Sequence, residues 1–167
     1  MHRTSQILDP QISQIAPNLY AGPLPVAKRF KSGILWDALD GLIDVTLSLE
    51  QPSGLPPKGI TVIADHTFSD LNDPVRSGID LERLEVVVSA LDGLLRSGRR
   101  VYVHCQMGVS RTGLVLTAHR MAIHREGWAA ALSELRKQRP NLDPTANSHF
   151  MALLVAWEQA LGAHPFR

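Results

Sequence analysis

Residues 100–118 limit the fold more than any other part of the chain. An apolar, β-branched run at 100–103 is followed by the loop 104–113 and then by the helix-forming run 114–118. This pattern predicts a buried strand that ends in a short loop, with a helix starting directly behind the loop. The first N–H groups of a helix have no partner within the helix, and the helix dipole makes that end positive. We therefore expect an anion-binding loop here.

The loop contains the chain's single cysteine, Cys105, and an arginine six positions later, Arg111. A cysteine beside a helix N-terminus and a guanidinium has a lowered pKa, which makes it a thiolate nucleophile. A guanidinium can bind two phosphate oxygens in a bidentate fork. Together these residues predict a thiolate that attacks phosphorus within a cradle of N–H donors. The alternative interpretation is a buried cysteine at a strand end, followed by a surface arginine.

The pattern His-Cys-X5-Arg-Thr-Gly, with Gly108 and Ser110 inside it, resembles the phosphate-binding loop of the cysteine-dependent protein tyrosine and dual-specificity phosphatases. Residues 17–22, 41–45 and 147–153 are similar to sheet strands and to the last helix of dual-specificity phosphatases. The resemblance implies a phosphate monoester hydrolase that acts through a cysteinyl-phosphate intermediate. The expected substrates are phosphotyrosine, phosphoserine or phosphothreonine residues of proteins.

The resemblance also assigns roles within the loop. Cys105 is expected to attack phosphorus. The expected phosphate-binding groups are the Arg111 side chain and the backbone N–H groups of Gln106, Met107, Gly108, Val109, Ser110 and Arg111. The Thr112 hydroxyl is expected to bond to the departing thiolate, with helix N-capping as its alternative. His104 is expected to orient the loop backbone, with a core histidine as the alternative. For Asn147 both water placement and helix capping remain open.

A general-acid aspartate on a mobile loop before the cysteine is a further feature that the resemblance implies. Residues 68–74, Phe-Ser-Asp-Leu-Asn-Asp-Pro, occupy that place. The Phe-X-Asp-X-X-X-Pro pattern favours Asp70, whereas Asp73 has the more typical separation from Cys105. We favour Asp70. A carboxyl group in a partly dry cleft can protonate the leaving alkoxide or phenoxide and then activate water.

Composition bounds the remaining function classes. The 167 residues, 44% hydrophobic and 20% charged, are typical of one globular domain. The net charge of +1 gives no case for a nucleic-acid partner, and the basic groups at 99–100 and 136–139 are interpreted as a strand entry and solvated helix ends. One cysteine allows no internal disulfide. With no apolar signal core and no run of membrane-spanning length, we expect a cytoplasmic monomer without membrane contact, metal or cofactor.

Strands alternating with helices predict an α/β fold, with a central, mostly parallel sheet flanked by helices. We expect an N-terminal arm or edge segment at 1–16 and a catalytic domain at 17–167. An edge strand is predicted within 17–25, an amphipathic helix, broken near Gly33, at 26–39, and strands at 41–49, 60–64 and 100–104, of which 60–64 is buried. Further helices are predicted from Leu81 to Leu95 and at 114–124, 128–137 and 145–161.

Three rival functions remain. A phosphoinositide or RNA 5′-phosphate phosphatase on the same fold is disfavoured because Gln106, Met107 and Val109 are uncharged. A non-catalytic phosphate-binding module would be expected to lack the cysteine, the arginine or the acid. A sulfur-transfer enzyme of the rhodanese type would not need Thr112 or the region around Asp70.

Overall fold

The structure, a computed structural model, describes residues 7–28, 33–65, 69, 77–163 and 166. Its main sheet contains the strands β1 (Ser13–Ala16), β2 (Leu19–Gly22), β5 (Val45–Ser48), β6 (Thr61–Ala64) and β7 (Val101–His104). The strand order is β1-β2-β7-β5-β6, and only the β1–β2 pair is antiparallel. Two short strands, β3 (Pro25–Val26) and β4 (Ile34–Leu35), form a separate parallel pair. The expected mostly parallel α/β sheet is confirmed.

The described residues contain four α-helices: α1 (Leu81–Arg96), α2 (Ser110–His124), α3 (Trp128–Arg136) and α4 (Ser148–Ala163). Helices α1 and α2 contact the central strand β7. Helix α2 contacts the other three helices and is buried along most of its length. That burial explains why its apolar residues occur on all sides rather than in one stripe. Helix α1 instead buries one stripe, Leu84, Val87, Val88 and Leu91, as its helical spacing predicts. In the described ranges, no helix has both the length and the apolar character needed to span a membrane.

Strand β7 lies at the centre of the sheet, and all four of its residues are buried. Its carboxyl end leads directly into Cys105 and the loop before α2. Ligand sites of parallel sheets lie beyond the carboxyl ends of the strands. The fold therefore places the cysteine loop at the edge of the sheet where a ligand site is expected.

Two strand positions differ from the predictions. Strand β6, predicted to be buried, is the last strand of the sheet, and Thr61, Ile63 and Ala64 are exposed. Strand β2, predicted to be an edge strand, lies between β1 and β7. The reason is that the arm segment Ser13–Ala16 adds to the sheet as its edge. An apolar β-run does not reveal which of its sides another segment will cover.

The predicted helix at 26–39 is wrong for the described part of that range, residues 26–28 and 33–39. Val26 belongs to β3, Ile34 and Leu35 form β4, and Trp36–Ala38 is a single 3₁₀ turn. Gly33 has a φ of +132° and lies close to Val26 and to the Leu24 carbonyl. The pairing of β3 with β4, together with the left-handed conformation of Gly33, outweighs the helical spacing of the apolar residues in this range.

Candidate active site

The Cys105 sulfur lies at the N-terminus of α2, where the chain leaves β7. The side chain is 3% exposed, and the Thr112 hydroxyl donates a hydrogen bond to Sγ over 3.2 Å. The residue at the N-cap of α2 is Val109, which provides no side-chain cap. Thr112 therefore contacts the sulfur, as the resemblance implies, and does not occupy the N-cap position. The first turn of the helix faces the cysteine.

The surroundings of Cys105 favour its thiolate. Burial by itself raises the pKa of the thiol, but the side chain and the backbone N–H of Thr112, the charge of Arg111 and the backbone N–H of Val109 all act in the opposite direction. Their combined effect holds the pKa of Cys105 below its ordinary value. Hydrogen bonds and a cation that stabilise the charged form outweigh the desolvation of that form. The arrangement can therefore supply a sulfur nucleophile.

The carbonyl groups at the start of the loop are bonded on the outer side of the loop. His104 Nδ1 lies 2.9 Å from the Cys105 carbonyl oxygen, and the Leu24 N–H donates to the Gln106 carbonyl oxygen over 3.0 Å. No described peptide bond is cis. In a trans peptide the N–H points away from the C=O of the same peptide group. The N–H groups of Gln106 and Met107 are thus turned away from these outer partners.

Arg139 bonds the next two carbonyl groups of the loop. Its Nε donates to the Gly108 oxygen over 2.8 Å and its Nη2 to the Met107 oxygen over 3.3 Å. Its Nη1 donates to the Gln11 carbonyl oxygen over 2.9 Å and to Ser13 Oγ over 3.1 Å. The residue is only 6% exposed, so the prediction of a solvated helix end is wrong for it. Arg139 is buried by the N-terminal segment and by the loop, two parts of the chain that are far from it in the sequence.

The last loop carbonyl, that of Val109, accepts hydrogen bonds from the N–H groups of Asp143, over 3.1 Å, and Gly113, over 3.2 Å. All carbonyl groups of residues 105–109 therefore have described partners. The N–H groups of residues 106–110, which belong to the same peptide groups, converge on the opposite side. Such a set of convergent N–H groups is suited to an anion with several oxygens.

Position 108 of the loop has to be a residue without a side chain. Its φ is +69°, in the left-handed region that favours glycine. A Cβ at this position would clash with the Gly22 carbonyl group and with the Arg139 guanidinium. The loop therefore passes directly over the end of β2. In the sequence, this close approach is indicated by the glycine at position 108.

The Arg111 guanidinium is buried beside the loop and is held from the end of β5. Nη1 donates to the Leu49 carbonyl oxygen over 3.0 Å and to Glu50 Oε2 over 2.9 Å. Glu50 was not among the predicted site residues. Glu50 could have been predicted from its position just after a strand. Strand β5 pairs in parallel with β7, and Ser48 stands opposite His104. Residues that follow neighbouring parallel strands meet at one edge of the sheet.

His104 orients the loop backbone and does not face the sulfur as a base. Burial lowers the pKa of His104 to about 4, so the ring is neutral at physiological pH. Nδ1 lies next to the Cys105 carbonyl oxygen and carries the proton, while Nε2 lies 2.6 Å from Ser48 Oγ and accepts from that hydroxyl. Both ring nitrogens are therefore engaged in holding the loop against β5.

The two candidate acids, Asp70 and Asp73, lie outside the described residues. On either side of residues 70–76, Ser69 and Ser77 are joined by a hydrogen bond from the Ser69 N–H to the Ser77 carbonyl oxygen, over 3.2 Å. His149 of α4 lies with its Nε2 2.7 Å from the Ile79 carbonyl oxygen. The backbone at Ile79 is thereby anchored to α4.

Asn147 caps α4, because its Oδ1 accepts from the Phe150 N–H over 3.1 Å. This contact favours the capping interpretation of the residue. Elsewhere in the fold, His119 Nε2 lies 3.3 Å from Asp92 Oδ1. Among the described residues, no group of three or more His, Cys, Asp and Glu side chains could hold a metal ion.

Known phosphatases resemble this chain in sequence. The model of the family "Dual specificity phosphatase, catalytic domain" matches residues 71–160, which is more than half of the chain. The chain is 27% identical over 164 residues to dual specificity phosphatase 28 of Mus musculus, and the match covers 96% of this chain and 91% of that protein.

Solved structures share the fold. A mouse putative dual specificity phosphatase, crystallised with zinc tungstate, has a TM-score of 0.69 and 25% identity, with 96% of this chain and 94% of that chain covered. PTPMT1 in complex with PI(5)P also has a TM-score of 0.69, at 16% identity, with 92% of this chain and 97% of that chain covered. The second likeness concerns the fold alone. Because a family model and a full-length relative agree, this chain belongs to the dual specificity phosphatase family and is an enzyme of the protein-tyrosine/dual-specificity phosphatase class.

Proposed function

We propose that the protein dephosphorylates phosphotyrosine, phosphoserine or phosphothreonine residues of proteins through a phosphorylated Cys105. The observation that carries the proposal is the loop geometry. The carbonyl groups of residues 105–109 are bonded outward, while the Thr112 hydroxyl, in the first turn of α2, donates to the Cys105 sulfur. A nucleophile placed within convergent N–H donors is the arrangement that phosphoryl transfer requires.

In the first proposed step, the Cys105 thiolate attacks phosphorus and the bond to the substrate oxygen breaks. Asp70 gives its proton to the leaving oxygen. Arg111 and the backbone N–H groups of Gln106, Met107, Gly108, Val109, Ser110 and Arg111 bind the equatorial phosphoryl oxygens and stabilise their charge. The loop itself supplies this stabilisation, so the proposal includes no metal or cofactor.

In the second proposed step, water attacks the cysteinyl phosphate and the S–P bond breaks. The Asp70 carboxylate takes a proton from the water, and inorganic phosphate is released. The electrons of the broken bond return to sulfur. Thr112 stabilises this thiolate through the same hydrogen bond that its hydroxyl donates to Sγ in the structure.

The charges around the loop favour a singly phosphorylated protein residue over a polyanion. Gln106, Met107 and Val109 are uncharged, and the Glu50 carboxylate lies 2.9 Å from the Arg111 guanidinium. Additional phosphates of an inositol lipid or an RNA 5′ end would approach this carboxylate without a second loop cation to neutralise them. A lipid phosphatase of the same fold is the second candidate, because the PI(5)P-bound PTPMT1 shares the fold.

The test is a substrate panel with a trapped intermediate. We expect turnover of an aryl phosphate and of phosphopeptides, insensitivity to chelators, and a phosphorylated protein after an acid quench that disappears in Cys105→Ser. Phosphoinositides and 5′-phosphorylated RNA are expected to react more slowly than the phosphopeptides. Faster turnover of the lipid would transfer the proposal to the second candidate. Binding without any turnover would indicate a phosphate-binding module.

Asp70→Asn is expected to lower kcat for an alkyl or unactivated phenyl phosphate by roughly 10²- to 10⁴-fold. The loss is expected to be much smaller for an activated aryl phosphate, because its leaving group needs little protonation. The basic limb of the pH–rate profile, which reports ionisation of the acid, is expected to disappear. The measurement is kcat on paired substrates across pH. Asp73→Asn is the matched control, and loss of the basic limb in that variant instead would reverse the assignment.

Arg139→Lys is expected to lower kcat/KM for an aryl phosphate by about 10- to 100-fold, as other orienting groups around a site do. Lysine keeps the charge but cannot reproduce the fork that bonds the Met107 and Gly108 carbonyl groups. The free energy of unfolding is expected to fall by about 2–4 kcal/mol. Arg136→Lys, at a half-exposed arginine of the same region, is the control. Equal activity of the two variants would contradict the positioning role.

We further propose that the enzyme works in a reducing compartment, consistent with the expected cytoplasmic location. Cys105 is the chain's only cysteine, and it is free. A thiolate of lowered pKa is readily oxidised, so its function depends on reducing surroundings.

A further inference from the structure

A cavity of about 420 Å³ opens directly beside the phosphate-binding loop. We call it the side cavity. Its lining is mixed: Pro10, Pro23, Pro140 and Met107 are apolar, and Gln11, Ser13, Arg139 and Asn141 are polar. Met107 belongs both to this lining and to the loop 105–109, so the side cavity adjoins the loop of the candidate active site. The cavity also falls in the size range of protein ligand sites.

The apolar walls of the side cavity offer few hydrogen bonds. Proline has no backbone N–H to donate. The Met107 side chain is 56% exposed, and a thioether chain with several rotatable bonds can adapt to apolar groups of different shape. A large exposed apolar side chain in a loop next to an active site is suited to contact with a ligand.

Among the described residues that line the side cavity, Arg139 alone is charged, and four of its five N–H donors are engaged by the protein. Nε, Nη1 and Nη2 donate to the carbonyl groups of Gly108, Gln11 and Met107 and to the Ser13 hydroxyl. A carboxylate or phosphate could therefore form a bidentate pair with the guanidinium only by displacing at least one of these acceptors, which include two carbonyl groups of the loop. The lining therefore disfavours an acidic ligand.

We propose that the side cavity binds an uncharged apolar side chain that flanks the phosphorylated residue of a protein substrate. The inference rests on the proposed function, since it requires a phosphopeptide in the loop. A peptide whose phosphoryl group is bound by the loop passes over the exposed Met107, and a neighbouring leucine-like side chain then enters the cavity. The cavity thereby selects substrates by their sequence next to the phosphorylated residue.

The experiment measures peptide binding separately from turnover. The Kd of phosphotyrosine peptides is measured with Cys105→Ser, while a position flanking the phosphotyrosine is varied among Leu, Ala, Glu and phosphoserine, on each side in turn. At one flanking position, Leu is expected to bind about tenfold more tightly than Ala, as burial of its side chain predicts. Glu and phosphoserine are expected to bind no better than Ala.

A second substitution in the same background tests the location. Asn141→Trp, at an exposed residue that lines the side cavity, is expected to fill it and remove the preference for Leu. Gln138→Trp, at an exposed residue outside the lining, is the matched control and is expected to keep that preference. Aryl phosphate turnover of the two Trp variants with Cys105 intact is expected to match wild type.

The outcomes separate the two proposals. Equal Kd values for all peptides, tighter binding of the Glu or phosphoserine peptide, or a Leu preference that survives Asn141→Trp would each overturn the role of the side cavity. A Leu preference that Asn141→Trp removes supports it, even if wild type turns over none of the peptides. Absence of turnover contradicts the proposed function alone.

Discussion

Cys105→Ser is expected to reduce kcat by on the order of 10⁴- to 10⁶-fold, as loss of a nucleophile does in other enzymes. A serine hydroxyl needs a base to remove its proton, and the described surroundings of Cys105 supply none. Thr112 donates its hydroxyl proton toward position 105. Both nitrogens of the neutral His104 ring are engaged, with the Cys105 carbonyl oxygen and with Ser48.

The measurement is kcat with an aryl phosphate, accompanied by thermal unfolding and by the Kd for inorganic phosphate. Serine is nearly isosteric, so the fold and the phosphate affinity are expected to remain close to wild type. The wild-type thiol should also react with iodoacetamide at a pH below the range of an ordinary cysteine, because its lowered pKa maintains thiolate there. Phosphatase activity of Cys105→Ser within tenfold of wild type would remove the covalent mechanism.

Arg111→Lys is expected to lower kcat/KM by roughly 10²- to 10³-fold, the effect of removing a preorganised oxyanion donor. The wild-type guanidinium is already oriented, because Nη1 bonds the Leu49 carbonyl oxygen and the Glu50 carboxylate. Lysine keeps the positive charge but has no planar fork, and its three donors are too few for these two acceptors and two phosphate oxygens together. The variant therefore separates charge from geometry.

The measurement is kcat/KM for an aryl phosphate together with the inhibition constant of inorganic phosphate. Arg120→Lys is a suitable control, because Arg120 lies on the same helix and pairs with Glu126. That variant is expected to retain wild-type kinetics. If Arg111→Lys behaved like Arg120→Lys, a point charge would be sufficient and the bidentate assignment would be wrong.

The spacing of apolar residues along the sequence predicted the two central elements of the fold, β7 and α2. The run before Cys105 predicted the central strand, and the apolar run after Gly113 predicted α2 and its burial. Both signals are reliable because strand and helix periods depend on neighbouring residues only. The helix predicted at 26–39 was wrong because the spacing of apolar residues depends only on neighbouring positions. It carries no information about the strand pairing of Ile34 with Pro25.

The order of Cys105, Arg111 and Thr112 along the chain was enough to predict that these residues lie close together, because they share one strand–loop–helix turn. A second set of groups, which holds this loop in place, is visible only in the folded chain. Arg139 reaches it from the segment after α3 and Glu50 from the segment after β5, and Gln11 and Ser13 complete the partners of Arg139. Their roles depend on chain segments that meet only when the sheet forms and the helices pack on it, so no local spacing encodes them.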